Sequence, residues 1–540
     1  MDTFVTIPDP MNEPVRGYAP GSPHAEALEH ALVQVSREII DIPALVGGVE
    51  VRSDIVHEIT MPHRHNHVIA RAHYSTAVTT SLAIDSARNA ADAWRETPYA
   101  ERAAVLLKAA DLLVSDRWRY RMLATTMHSM SKTAYEAEID VIAELADFLR
   151  FNAYFGQQIL QEQPISPKGM LNAMQYRPLE GFVYAVTPFN FMAIAANLPL
   201  APILMGNVVL WKPADETLLP AWLMMQLLKE AGLPDGVLNF LPGDGITQSE
   251  IALTHPGFAG LHFTGSTDVF VHLQGQIAAN REIYGEYPRI VGETGGKDFV
   301  LVHESADRDT TVAALIRGGF GYQGQKCSAA SRVYVPKSMW PTLRDALVDQ
   351  MREIHVGSVG NPANYMGAVI NRGAFEKITG YIDFARAEET IVQGGTYDDS
   401  RGYFVKPTLV QVSDSRSRLM TEEIFGPVVS VFVYDEADWV TLPREIDQAT
   451  PYALTGSVIA QDRSAIAAIR DGAPYAAGNF YINREPSGAV VGQQPFGGSR
   501  RSGTNDKAGS MWNLIRWVSP RTISESLVPN TNWRPVFLAK

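Results

Sequence analysis

"FVYAVTPFNFMAIAANLPLAPILMGNVVLW" (182–211) holds two short β-rich runs, FVYAV and NVVLW, on either side of an apolar stretch at 191–206. That stretch is shorter than the ~20 residues that cross a bilayer. It also contains Asn197, Pro199 and Pro202, so it reads as a buried helix. Strand, helix, strand in that order calls for a right-handed crossover joining two parallel strands. The alternation continues through "GVLNFL", "GLHFT", "RIVGE" and "FVLVH". Helical stretches lie between several of these, such as "PAWLMMQLLKEAG" (220–232), opened by Pro220 and closed by Gly232. The expected class is α/β, with a parallel sheet that binds ligand beyond the carboxyl ends of its strands.

On the amino side, residues 24–160 read mainly as helices broken by a strand pair near 48–74. On the carboxyl side a second alternation of helix and strand runs from 297 to about 490. The tail "WVSPRTISESLVP" (517–529) is β-rich with no partner near it in sequence. A free strand edge invites pairing, so this strip is expected to pair with another strand, one on a neighbouring subunit being a candidate.

A chain of 540 residues exceeds a single core and suggests two or three packed units at ~100–200 residues each. Lys and Arg number 46 against 59 Asp and Glu, a formal charge of −13, which argues against nucleic acid or anionic membrane as partner. One cysteine cannot form an internal disulfide, so no oxidising compartment is required. The opening "MDTFVTIPDPMNEP" resembles neither a signal nor a transit peptide, and a cytoplasmic enzyme is expected.

Several strand ends carry chemistry-bearing residues, each with an ordinary alternative. "VTPFNF" (186–191) places Asn190 as a helix cap or as an oxyanion donor. "FTGSTDVF" (263–270) opens a helix, and the N–H groups around Gly265 and Ser266 would suit a phosphate. "VGETGGKDF" (291–299) ends a strand with Glu293, by itself a surface glutamate at a turn. "FGYQGQKCSAASR" (320–332) surrounds the lone Cys327 with glycines and small polar residues. Its Gly319, Gly321 and Gly324 match a phosphate-loop spacing, but a helix precedes them, so a tight turn with close backbone approach is expected instead. "HRHNH" (63–67) spaces His63, His65 and His67 for one strand face; Pro62, Arg64 and Asn66 favour a solvated turn over zinc, and no metal is expected.

Taken in order, "PFN", "WKPAD", "FTGS", "GETGGK", "GQKCS", "EEIFGPV" and "PFGG" resemble the NAD(P)-dependent aldehyde dehydrogenase superfamily over about residues 75–525. "AEID" with "AELADFLRFN" (137–152), Thr294 and "QPFGGSRRSGTNDKAG" (494–509) resemble its 1-pyrroline-5-carboxylate dehydrogenase branch. The fold this implies is a Rossmann-like cofactor domain (1–162 and 182–292), an α/β catalytic domain (293–509) and a small β oligomerisation flap (163–181 and 510–540).

The resemblance implies oxidation of L-glutamate γ-semialdehyde to glutamate in proline degradation, with another small semialdehyde such as succinic semialdehyde as the alternative substrate. It implies Cys327 as nucleophile, Asn190 and the Cys327 N–H as oxyanion donors and Glu293 as general base. Because a free thiol is only a few per cent ionised near neutrality, the site would have to help, and Lys326 is the adjacent cation. For the cofactor, Lys212 would contact the adenosine ribose and Gly265 with Ser266 the pyrophosphate. Glu423 would hold the nicotinamide ribose with Phe425 beside the ring, and Asp215 and Glu216 would repel a 2′-phosphate, favouring NAD. For the substrate, Glu144 would meet the ammonium end, Phe191 the aliphatic stem, and Lys326 and Ser328 the aldehyde side. Backbone N–H groups of Ser502, Gly503 and Thr504 would form a nest for the carboxylate. A homodimer or larger homo-oligomer and a proline dehydrogenase are the expected partners. A cysteine hydrolase and a non-catalytic relative are the competing readings.

Overall fold

A computed structural model describes residues 5–538 of the chain. The quoted opening stretch folds as read: strands Phe182–Val186 and Val208–Lys212 run parallel and flank the helix Met192–Leu204. They sit in the middle of a seven-stranded sheet. From one edge its order is Arg289–Glu293, Phe258–Thr264, Phe182–Val186, Val208–Lys212 and Leu238–Phe240, all parallel, then Ala44–Val46 and Val49–Val51, joined antiparallel. Alternate side chains enter separate cores. Val183, Ala185, Val209 and Trp211 pack under the Met192–Leu204 helix. Phe182, Tyr184, Val208 and Leu210 pack on the opposite face. Burial of both faces explains why these strands read as continuous apolar runs.

Chain order and spatial order part company between Phe182–Val186 and Phe258–Thr264, which are neighbours in the sheet although two other strands intervene in sequence. This switch point opens a crevice beyond the strands' carboxyl ends. The segment containing Asn190 leaves one side of it, and Gly265–Ser266 leaves the other.

The second seven-stranded sheet runs Thr390–Gln393, Thr408–Val412, Val428–Tyr434, Ala330–Pro336, Asp298–Val302, Thr455–Ile459 and Asn479–Ile482, parallel except for its first pair. Edge strand Arg289–Glu293 of the first sheet ends just before Asp298 opens a strand of the second. The carboxyl edge of one sheet therefore faces the amino edge of the other, and Cys327, just ahead of Ala330–Pro336, lies at that junction. Parallel sheets ordinarily offer their carboxyl ends to a ligand; the second sheet contributes its amino ends.

Two expectations need correction. The region 24–160 is helical, but its break holds five short strands rather than one pair. Ala44–Val46 and Val49–Val51 extend the first sheet, while Arg64–His73 pairs with both Val56–Met61 and Ile40–Ile42. The HRHNH turn is not solvated throughout. His63 is buried, stacked on His128 at 5.8 Å with Nδ1 3.3 Å from Ser131 Oγ, because the backbone at Gly402 packs over it. Burial lowers its pKa to about 3. His65 and His67 bond separately to the Asp399 and Ser36 carbonyls, and the described residues hold no group of three side chains placed for a metal. The tail strip pairs with another strand, as expected: Ser519–Ser526 runs antiparallel to Met170–Arg177 of its own chain. Both strands lie in the segments 163–181 and 510–540 that the resemblance groups as one flap, although more than 300 residues separate Arg177 from Ser519. No described helix is long and apolar enough to cross a membrane.

Candidate active site

The helix Arg308–Phe320 ends in a tight turn in which Tyr322, Gln323 and Gly324 all have left-handed backbones, at φ 47°, 56° and 66°. Such strain at non-glycine residues persists only where the surroundings over-determine it. Here they do. Tyr322 Oη donates to Met130 O at 3.0 Å, and Gln323 Nε2 to Ser131 O and Ala368 O at 3.0 and 2.8 Å. Gln323 Oε1 accepts from Gly367 N, and Gln325 Oε1 from Ile370 N. At Gly324 a Cβ would stand 2.3 Å from Gly426 O, so the glycine serves backbone shape and close approach together. The G-x-G-x-x-G spacing is a turn, as expected, and it presents Cys327.

Cys327 lies between two spaces. One is a cavity of about 180 Å³ whose wall includes Glu144, Phe191, Glu293, Lys326, Cys327 and Ser328. The other is a small recess bordered by Gly296, Cys327, Glu423 and Phe425. Asn190 is buried behind the cavity wall, and its Nδ2 donates to Gln325 O at 3.2 Å, which brings its amide against the cysteine loop. Glu293 Oε2 accepts from Gly498 N at 2.9 Å. Glycines at 497 and 503 leave room for that carboxylate, since a Cβ would stand 3.1 Å from Glu293 Oε1 at 497 and 2.8 Å from Glu293 Oε2 at 503.

Electrostatics at the site run against a resting thiolate. Burial, then the carboxylates of Asp298, Glu423 and Glu293, push the Cys327 pKa up. Burial also holds Glu293 well above the usual carboxylate range, although the Gly498 N–H pulls the other way. The assistance expected from Lys326 is not available, because its ammonium is paired with Glu136 Oε1 at 3.0 Å. Glu144, at the end of the π-helical turn Glu138–Glu144, is pushed up to about 8, chiefly by burial.

The expected carboxylate nest is a clear miss. Ser502 N donates to Ser499 O, and Thr504 N donates to Gly292 O at 2.8 Å. Thr294 N donates to Ser502 O, and Gly503 bridges to Glu293. The run Ser502–Gly503–Thr504 is thus strapped along the edge strand behind Glu293 instead of opening into the cavity. The wall there is built from Ser487, Gly488, Ala489 and Phe496. Gly488 has φ 76°, and among the described residues neither its N–H nor that of Ala489 has an acceptor. These residues were missed because their segment has no charge or motif to mark it; Gly488 was the one available signal.

On the crevice side, Lys212 ends its strand near Gly245, and Ser266 caps the helix Thr267–Ala279. The Gly265 N–H is already given to Glu293 O at 3.2 Å, so of the expected pair only Ser266 and the helix start remain free for a phosphate. Glu423 Oε1 accepts from Gly296 N, and Phe425, at φ 60°, packs edge-on against Phe189. A cation and a helix N-terminus at one end of the crevice and a carboxylate near the cysteine at the other suit phosphates and ribose hydroxyls respectively. Of the two carboxylates expected to repel a 2′-phosphate, Glu216 is turned away and bonded to Asn371 Nδ2, which leaves Asp215.

A thiol and a carboxylate on one cavity wall, where two α/β sheets meet beside a crevice at a strand switch point, define a class. The chain belongs to the aldehyde dehydrogenase family, whose model matches residues 51–523. Within it, the mitochondrial delta-1-pyrroline-5-carboxylate dehydrogenase of Dictyostelium discoideum is 47% identical over 532 residues, covering 98% of this chain and 95% of that protein. The crystal structure of the delta-pyrroline-5-carboxylate dehydrogenase from Mycobacterium tuberculosis bound with NAD superposes with a TM-score of 0.96 at 48% identity, covering 100% of both chains. Proline utilization A from Bdellovibrio bacteriovorus aligns with a TM-score of 0.91 at 31% identity, over 96% of this chain and 53% of that one.

Proposed function

We propose that this enzyme oxidises L-glutamate γ-semialdehyde, the open form of 1-pyrroline-5-carboxylate, to L-glutamate with NAD, in proline degradation. The observation that carries the reading is the position of Cys327 between the cavity that Glu144 and Glu293 help to line and the recess bordered by Glu423 and Phe425. Relatives of nearly full coverage support the substrate and the cofactor.

The thiol loses its proton to the cavity's base, Glu293, and its sulfur adds to the aldehyde carbon, giving a thiohemiacetal. Asn190 Nδ2 and the Cys327 N–H stabilise the oxyanion; the latter donates to no acceptor among the described residues. NAD, when bound along Lys212, Ser266, Glu423 and Phe425, accepts the hydride that leaves the carbon. Glu293 gives the thiol's proton up to solvent and then deprotonates the water that hydrolyses the remaining thioester; the carboxylate product leaves and the expelled thiolate regains a proton. Phe191 walls the aliphatic stem, Lys326 and Ser328 border the aldehyde side, and the N–H groups of Gly488 and Ala489 receive the substrate carboxylate. Glu144 meets the ammonium, whose charge offsets the burial that otherwise keeps this carboxyl protonated.

The test is NADH formation at 340 nm from pyrroline carboxylate, wild type against Cys327→Ser. Equal rates would refute the nucleophile, and faster turnover of succinic semialdehyde would refute the substrate.

We also propose the division into a cofactor domain (1–162 and 182–292), a catalytic domain (293–509) and a flap (163–181 and 510–540). Assembly is as a homodimer or larger, through the ribbon of Met170–Arg177 and Ser519–Ser526. Its outer edges are unpaired among the described residues, and Leu527, Val528 and Trp533 beyond it are exposed. A monomeric mass by light scattering would refute this. A cytoplasmic site of action rests on the single cysteine, and recovery in another cell fraction would overturn it. A proline dehydrogenase partner is supported by the relative named proline utilization A, whose chain this one half-covers. Failure of the two proteins to associate would refute it.

A further inference from the structure

Lys132 and Asp140 form an ion pair at 2.8 Å in which both side chains are fully buried. Replacing such a pair with apolar residues is often neutral or stabilising, so stability alone does not account for it. Its surroundings suggest another role. Asp140 lies in the π-helical turn Glu138–Glu144, a distortion often found at functional sites. Its Oδ2 accepts from Met192 N at 3.0 Å and its Oδ1 from Ala193 N at 2.8 Å. It therefore caps the helix Met192–Leu204, whose own N-cap residue, Phe191, makes no side-chain capping bond. The helix dipole favours an anion there.

The Lys132 ammonium is held between two rings, 4.1 Å from the centre of Phe191 and 4.3 Å from that of Tyr322. Phe191 follows Asn190 directly and faces the cavity. Tyr322 is the first of the left-handed residues that present Cys327. One buried cation thus touches both the segment of the oxyanion donor and the turn of the nucleophile, and its counter-ion anchors the first of them. Asn190 Nδ2 to Gln325 O, at 3.2 Å, is the direct bond between the same two segments.

We propose that Lys132 and Asp140 are positioning residues that hold Asn190 and Phe191 in register with Cys327. The proposal rests on the oxyanion role assigned above. It accounts for a buried charge that the chemistry never touches: misplacement by ~1 Å of a group acting on the reacting atoms can cost ~100-fold in rate.

The test uses Lys132→Met, which keeps the stem and removes the charge, and Asp140→Asn. Folding is checked by circular dichroism, active sites are counted by the amplitude of the NADH burst, and the burst rate is measured per site. In the folded variants the burst rate and kcat should fall at least tenfold with the KM for NAD within twofold, because the crevice is not part of the clamp. A simple aldehyde lacking the amino-acid head should lose the same factor, since the defect lies at the carbonyl. Unchanged rates per site in a folded variant, a loss confined to glutamate semialdehyde, a parallel rise in the KM for NAD, or failure of both variants to fold would each overturn it. A wild type that makes no NADH would instead count against the proposed function.

Discussion

Gly324→Ala tests whether the strained turn presents the nucleophile. The native φ of 66° is left-handed, which costs a non-glycine residue about 1–2 kcal/mol. The added Cβ would stand 2.3 Å from Gly426 O, about 1 Å short of the ~3.5 Å at which such atoms ordinarily touch. Gly426 O is backbone and the Cβ position is fixed by the backbone, so no side chain can swing aside; the cysteine turn or the Glu423–Gly426 segment must move by about that amount. A shift of ~1 Å at the reacting atoms costs ~100-fold in rate. At ~2.1 cal/mol/K per residue, the backbone strain lowers the melting temperature by only about one degree per kcal/mol in a chain of 540 residues. The expected pattern is a large loss of kcat with a small loss of stability. Steady-state NADH formation and thermal melts measure the two. Gly275→Ala is the control: this helical glycine has nothing within 4 Å of its Cβ position, so full activity and a gain of ~0.5–1 kcal/mol are expected. A Gly324→Ala enzyme with kcat within twofold of wild type would refute the argument.

Three further outcomes follow from the site and its surroundings. Glu293→Gln should lower kcat by ~10²–10⁴-fold, because an amide cannot take a proton from water; turnover above a third of wild type in stopped-flow or steady-state assays would remove Glu293 as base. Asn190→Ala should cost ~3–4 kcal/mol at the transition state, seen as a fall of two to three orders of magnitude in kcat, and a change under threefold would remove the oxyanion assignment. His63 is about 3 in the folded chain against 6.5 when unfolded, so its neutral ring contributes stability that is complete above pH 6.5 and is lost as pH falls toward 3. The wild type should therefore lose a few kcal/mol more than His63→Asn between pH 7 and pH 4 in denaturant titrations, and parallel curves would contradict this.

Cys327 was legible because a lone thiol among glycines is chemically conspicuous, and Asn190 and Glu293 because each ends a β-rich run. The roles of all three still rested on a resemblance, since a strand-end amide is more often a cap and a strand-end glutamate more often exposed. Glu144 and Phe191 reach the cavity as expected. The Ser502–Thr504 run does not, because the Thr504 N–H and the Ser502 carbonyl bond to the edge strand and the Ser502 N–H to Ser499 O, a pattern with no signature along the chain. The Lys132–Asp140 pair was equally hidden: a lysine and an aspartate eight residues apart look like ordinary helix-surface charges until the Phe191 and Tyr322 segments close over them.

By itself the sequence determined the alternation of strand and helix, the parallel order it imposes and the identity of the reactive groups. These depend on periodicity and on side-chain chemistry, which neighbours along the chain suffice to set. Only the tertiary structure decided which N–H groups remain free at the cavity, that the thiol is pushed up rather than down, that His63 is buried, and the register in which the tail pairs with Met170–Arg177. Desolvation, local field and strand partnership come from residues brought together across hundreds of positions, so they exist only once the chain has closed on itself.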